Sequence, residues 1–332
     1  MPQIRRRRSA TARQPEAGSP AAVAAAPVTQ LQSIASYAGN TAFAQKYAAS
    51  MGDLRLVEHR DEVLARLKID LARAKKQNEA YARVPDVREP SALGWGERLG
   101  SVKGAEKLAE LWKAGRRDEF AHAVAALQVD LGVREADVDG VLGPSTWARI
   151  AGVGEAMAGI GEKGVEGVEQ LCYEFTERRM RLGHQRATGK SFPVSERDAD
   201  FNRIISSSVE GSRKVDEQYR ATGAAGALVY SGVGDFVPEA DIWSGSLRPG
   251  ATLQVFKHKE AYDLLKRGGT KDKTRERLGD KEFFNGTSYV FVRYDPKSNE
   301  RMLVRHWGDL EWHSRSDWAV WVAANTREPG RL

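Results

Sequence analysis

The sequence holds a single cysteine, Cys172, among 332 residues. One thiol cannot close an intramolecular disulfide, build a Cys-rich zinc site or supply a CxxC redox pair. No apolar run approaches the ~18–20 residues that cross a bilayer, and the mean hydropathy is −0.52, so neither a transmembrane helix nor a membrane anchor is expected. Charge of one sign is also scarce: Lys and Arg total 51 against 45 Asp and Glu, a formal excess of +6. Acids and bases alternate after residue 50, and Arg5 to Arg8 is the one pure basic block. A nucleic-acid surface would gather its cations on a stripe, so nucleic acid is not an expected partner. No GxxxxGK[ST] loop is present. Gly159 to Gly164 read GIGEKG, a formal GxGxxG, but the segment follows the helical GEAMA and not the buried strand that a dinucleotide site requires. No cofactor and no metal are expected.

What is present divides by texture. Residues 1–33 are Arg, Ala, Pro, Ser, Gln and Thr with few side chains to bury, so a disordered basic and Ala/Pro arm is expected. The arm lacks the continuous apolar stretch of a secretory signal peptide. The expectation is synthesis in the cytoplasm, with action at the cell wall or export by a non-standard route. Residues 34–100 read as a helical region and linker. One amphipathic helix is expected from Asp53 to Arg83, where Val57, Val63, Leu64, Leu67, Leu71 and Ala74 recur at helical steps. Residues 153–164 are sown with glycine and read as a hinge. A second long helix is expected to carry Val165, Val168, Cys172 and Phe175 on one face, with Cys172 as a mid-helix core cysteine. His184, twelve residues on along the same helix, cannot reach it.

After Gly226 the segments ALVYSGV, TLQVFKH, SYVFVRYD, RMLVRHW and DWAVWVAA are β-branched and aromatic runs of strand length. The turn cluster from Asp295 to Asn299 predicts an antiparallel hairpin. The expected fold class is therefore α+β and multidomain. It comprises the disordered N-terminal arm, an all-α middle with a small three-helix bundle over 101–152, and a C-terminal domain over 165–327 that is mainly antiparallel sheet with packed helices.

The bundle rests on residues 120 to 152. Phe120, Val124, Leu127 and Leu131 are spaced as one buried helix face, and Gly132 suits a left-handed C-cap. Asp139-Gly140 forms a corner, and Pro144 and Ser145 suit the first turn of the next helix. These residues, with Gln128, Gly143, Thr146 and Trp147, resemble the three-helix peptidoglycan-binding domain appended to bacterial and phage cell-wall hydrolases; the match covers roughly residues 105–152. The resemblance implies a glycan-peptide ligand, peptidoglycan, with Gln128, Asp139, Thr146 and Trp147 beside the turn as ligand-binding candidates.

In the C-terminal part, Asp235, Glu239 and Asp241 precede Trp243, and His306, Asp309, Glu311, His313 and Asp317 follow one another after a strand. Two such clusters meeting at a sheet end would provide a histidine base oriented by a carboxylate. The catalytic candidates are His306, Asp309 and Asp241, with Trp243 as a further ligand-binding candidate. The order of helix, strand, WSGxLxPGxxLQ and a following SYVF strand is similar to papain-like cell-wall amidases of the NlpC/P60 and CHAP type. That family requires a cysteine opening a helix and a histidine entering a central strand. The expected equivalents, near Thr222 and at Thr287, are neither, so a degenerate or repurposed domain is expected.

The leading functional expectation is a peptidoglycan-binding, cell-wall-directed bacterial or phage protein whose C-terminal domain binds a second partner or substrate. One alternative is a cell-wall hydrolase or injected toxin using the His306 cluster. Another is a structural adaptor or cargo of a contractile, phage-like injection assembly, with tail or injection-system proteins as partners.

Overall fold

A computed structural model describes residues 60, 62–159, 171–207, 212–269 and 286–327. The expected arm at 1–33 and the positions Val165 and Val168 lie outside the described residues.

The fold is α+β. Its first half is helical: α1 (Leu71–Ala82), α2 (Trp95–Arg98), α3 (Glu106–Lys113), α4 (Arg117–Asp130), α5 (Pro144–Ala151) and α6 (Val153–Gly159). The continuous helix expected from Asp53 to Arg83 is broken. Residues 62–66 are helical, residues 67–70 are not, and α1 begins afresh behind Asp70. The Asp70 carboxylate accepts the Arg73 amide at 3.0 Å, which satisfies a first-turn N–H and restarts the helix.

The corner read from the sequence is present. Gly132 takes φ +69 after α4, and Pro144 opens α5 behind Gly143. Gly140 takes φ +71, and a Cβ there would lie 2.8 Å from the Ala121 carbonyl oxygen, so only glycine fits. Phe120, Val124, Leu127, Leu142 and Trp147 form the bundle core.

Two pieces from outside the 101–152 segment complete that core. Trp95 comes from the stretch expected as linker; it is fully buried, stacks on Phe120 and donates through its indole N–H to the Leu142 carbonyl at 3.0 Å. From α1, the Asn78 side chain donates to the Gly140 carbonyl and accepts the Leu142 amide at 2.7 Å. Spacing within a segment cannot reveal such partners. The glycine-rich stretch expected as a hinge is helical up to Gly159, where α6 packs beside α5. Small residues there permit close approach: a Cβ on Gly159 would meet Leu93 at 2.5 Å.

The second half begins with α7 (Cys172–Thr188), α8 (Ala199–Ile205) and α9 (Gly223–Tyr230). The ALVYSGV run expected as a strand falls in α9 and the turn after it. An apolar run buried on all sides carries no period to separate helix from strand, and Gly223 to Leu228 are all buried. The strands β1 (Gly234–Val237), β2 (Thr252–Phe256), β3 (Gly286–Asp295), β4 (Ser298–His306), β5 (Asp309–Ser314) and β6 (Val320–Thr326) form one antiparallel sheet in the order β1-β6-β2-β3-β4-β5. A short helix, α10 (Lys259–Lys266), follows β2. The expected hairpin is β3–β4, turning at Asp295 to Ser298.

One face of the sheet, including Val290 and Ala324, packs against Met157 of α6, Met180 of α7 and Leu228 of α9. The other face, including Leu253, Phe291 and Val304, is closed by the segment from Ile242 to Leu247. Arg305 ties the halves together. Its side chain is completely buried, donating from Nε to the Ala158 carbonyl at 2.6 Å and from its guanidinium to the Pro90 carbonyl.

Candidate active site

Cys172 is the first residue of α7. Leu171 before it is extended, and its amide donates to the Glu174 carboxylate at 2.9 Å, so the acidic residue closes the first turn. This corrects the reading of Cys172 as a mid-helix core residue. A periodic apolar pattern marks a face but not a helix start, and the pattern here ran across the start.

Packing of α7 on β3 carries the thiol to the first residues of that strand. There it engages the Thr287 side chain, the Ser288 backbone and the imidazole of His306. His306 closes β4. Its Nδ1 lies 3.2 Å from Oε1 of Glu311, and its Nε2 lies 3.2 Å from Oγ1 of Thr287. With Nδ1 turned to a carboxylate, Nε2 is the nitrogen available to the sulfur.

Strand geometry explains why Glu311 serves. The β4–β5 loop is the two residues Trp307 and Gly308, at φ +49 and +89, the left-handed pair that matches the twist of a tight hairpin. His306 is thereby registered opposite Asp309, and Val304 opposite Glu311. Alternation then puts His306, Asp309, Glu311 and His313 on one face. Asp309 is exposed at the hairpin end, whereas the longer Glu311, one step inward, reaches the imidazole. Glu311 also receives His313, Nε2 to Oε2 at 3.1 Å, and His313 Nδ1 meets Asp317 at 3.0 Å. Tyr289 flanks both histidines, with ring centroids 5.0 and 4.9 Å away, and Trp307 stacks on His306 at 4.0 Å while about half exposed.

The electrostatics follow from these contacts. Burial pushes the Cys172 thiol up, but hydrogen bonds from His306, Thr287 and the Ser288 backbone, with the His306 charge, outweigh it and leave the thiol below its ordinary value. Burial opposes the His306 cation, yet Cys172 and Glu311 together raise it to about 9. Hydrogen bonds from His306 and His313 hold Glu311 down at about 2 against its desolvation. The contacts thus favour a thiolate facing an imidazolium over the neutral pair. Burial, then the charges of Glu311, Cys172 and Asp317, push Tyr289 far up, so the phenol stays neutral.

The other residues singled out from the sequence lie elsewhere. Asp241 follows β1, at the sheet edge opposite β5, and is exposed; no described contact joins it to His306. Nor does the His306 ring use Asp309. Trp243 is half-buried with its ring edge-on to Trp321 at 5.0 Å. Gln128 is buried and engaged on both ends: its amide nitrogen donates to Asp139 at 2.8 Å, and its oxygen accepts the amides of Asp139 and Gly140 at 3.1 and 3.0 Å. Thr146 and Trp147 are buried beside it, and the Asp139 carboxylate also accepts the Val141 amide at 2.9 Å. The Gln128 side chain is hydrogen-bonded to those of Asp139 and Thr146 at the corner. A cavity of about 260 Å³ between the halves, lined by Leu93, Arg98, Leu247 and Phe291, lies away from the thiol.

The sequence places Cys172 in a core and Glu311 in the acidic cluster, but does not show that the two meet His306 beside Thr287. The signal for Cys172 was Glu174, two residues further on, at the place where an acidic residue closes a helix start. Among the described residues no cluster of His, Cys, Asp and Glu forms a metal cage, and no helix is long and apolar enough to cross a membrane. No family model matches the chain, and neither a curated protein nor a solved structure matches it.

Proposed function

We propose that the protein is a cysteine-dependent acyl hydrolase acting on an amide or ester bond, with peptidoglycan peptides as the substrate class. The single observation that carries the chemistry is Cys172, first in α7, in hydrogen-bonding contact with an imidazole whose other nitrogen is held by Glu311. Nucleophile, base and orienting carboxylate in that order are the arrangement of covalent catalysis.

The Cys172 thiolate attacks the carbonyl carbon, and the carbonyl oxygen takes up the negative charge. First-turn amides of α7 have no intrahelical acceptor and sit at the positive end of the helix dipole, which suits them to that oxygen. The His306 imidazolium protonates the leaving amine or alcohol as the C–N or C–O bond breaks, leaving a thioester on Cys172. The now neutral His306 takes a proton from water, whose hydroxide attacks the thioester. Cys172 leaves as thiolate, the acid product departs, and His306 ends as imidazolium. Glu311 keeps the ring turned and stabilises its charge in both halves.

The substrate class is supported by the resemblance of residues 105–152 to peptidoglycan-binding domains. It is also supported by the similarity of the C-terminal part to NlpC/P60 and CHAP amidases. Cys172 supplies the helix-start thiol that those enzymes require, from α7 and not from the segment near Thr222, while His306 approaches Thr287 from the neighbouring strand. A wall-binding bundle would raise the local concentration of scissile bonds. Purified sacculi incubated with the protein should release soluble muropeptides carrying new amine and carboxyl ends. Cys172→Ala should be retained on sacculi without releasing any. Equal release by Cys172→Ala would sink the chemistry. Absence of retention, with co-purification of tail or injection-system proteins, would sink the wall assignment alone.

A further inference from the structure

His313 is not needed by the three-residue mechanism, yet it is built into the same array. Its Nε2 lies 3.1 Å from Glu311 Oε2 and its Nδ1 lies 3.0 Å from Asp317 Oδ2. A neutral imidazole has one N–H and one lone pair, so it satisfies one carboxylate and turns a lone pair on the other. Only the doubly protonated ring donates to both. We propose that His313 is a positioning residue, an imidazolium clamped between Glu311 and Asp317 that fixes the Glu311 carboxylate against His306 and sets the charge felt by Cys172. This rests on the Cys172–His306 reading above.

The surroundings support the assignment from every side. From β5 comes Glu311, and from the turn after β5 comes Asp317, whose Oδ2 is held in place by the Ser314 amide at 3.0 Å. From β3 comes the neutral Tyr289 ring at 4.9 Å, and Trp318 stands at 6.3 Å. His306 on β4 is joined to His313 through the shared Glu311 carboxylate. The His313 side chain is about 16% exposed, so its charge acts with little screening. Burial disfavours the cation, but the two carboxylates overcome that and raise it above its ordinary value.

The sign of the effect is fixed by charge. Replacing His313 by a neutral side chain removes a positive charge near both His306 and Cys172. The His306 imidazolium should then titrate at higher pH and the Cys172 thiolate should form at higher pH, each by on the order of half a pH unit or more for a unit charge several ångströms away.

Nitrogen-15 NMR of the full chain labelled in histidine tests the state directly. His313 should carry protons on both ring nitrogens at pH 7, and a single neutral tautomer there would overturn the proposal. Iodoacetamide alkylation of Cys172 against pH tests the consequence. His313→Gln should shift the thiolate midpoint upward, while His313→Arg, a cation able to donate to two carboxylates, should return it toward the native value. An unshifted profile in His313→Gln would overturn the positioning role with the parent reading intact. A native Cys172 that alkylates only as an ordinary thiol would instead defeat the parent reading.

Discussion

Nδ1 of His306 and Oε1 of Glu311 stand 3.2 Å apart across the β4–β5 hairpin, and that contact turns the other imidazole nitrogen toward Thr287 and the Cys172 thiol. The imidazole so turned joins the end of β4 to the start of a helix far earlier in the chain.

Cys172 should alkylate with iodoacetamide at a lower pH than an ordinary thiol does. His306→Ala removes the largest of the contacts that favour the thiolate, so its alkylation midpoint should move up toward the ordinary value. Acyl hydrolysis should fall by about 10²–10⁴-fold, the usual worth of a positioned acid-base group. Mass spectrometry of the labelled peptide across pH reads the first effect, and an identical midpoint in both proteins would contradict it.

Stability should depend on pH at both ends of the range. Glu311 is lowered in the fold from 4.5 to about 2, so its contribution is present above pH 4.5 and is lost as pH falls through about 2. His306 is raised from 6.5 to about 9, so its contribution is complete below pH 6.5 and is lost as pH rises through about 9. Both are fully present between pH 4.5 and 6.5. Urea midpoints of the native protein and Glu311→Gln, compared across pH, should differ most in that window and converge at both extremes.

Trp307 holds a left-handed backbone, φ +49, in a turn where glycine is the unstrained choice. Trp307→Gly and Trp307→Ala both lose the stack on His306, but only glycine relieves the strain, which for a non-glycine residue costs roughly 1–2 kcal/mol. Trp307→Gly should therefore be the more stable of the two by about 1 kcal/mol in chemical denaturation. Both should lose hydrolytic rate, since the ring capping His306 is gone. Equal stability of the pair would show that the turn is unstrained.

Gln128→Ala should act on stability and not on a ligand contact. The substitution leaves the buried amides of Asp139 and Gly140 without their acceptor, at about 1–3 kcal/mol for each unsatisfied group. A loss of about 2 kcal/mol or more in urea unfolding is expected, with retention on sacculi unchanged at temperatures where the variant is folded. Full stability with lost retention would make Gln128 a ligand contact after all.

The helical corner was legible because its parts are local. Gly140 needs positive φ, Pro144 suits a first turn, and Phe120, Val124 and Leu127 repeat at helical spacing, so a few consecutive residues carry the answer. Three of the bundle's own supports, Trp95, Asn78 and the buried Gln128, were not legible as such. Their partners sit on other segments, or the residue type reads equally well as a ligand contact.

The β3–β4 hairpin was written in strand-length runs and turn residues, and His306 was picked out by the acids around it. The choice between Asp309, Asp241 and Glu311 was not. Any of the three satisfies a requirement for a nearby carboxylate, and only strand order and register decide which one meets the ring.

By itself the amino-acid sequence determined the class of fold, the bundle's corner, most strands of the sheet and the presence of one thiol without a disulfide partner. The tertiary structure alone decided what surrounds that thiol. Local periodicity reports which face of a helix is buried, whereas reactivity depends on which charges surround the sulfur, and those charges arrive on β4 and β5 through packing between segments far apart in the chain.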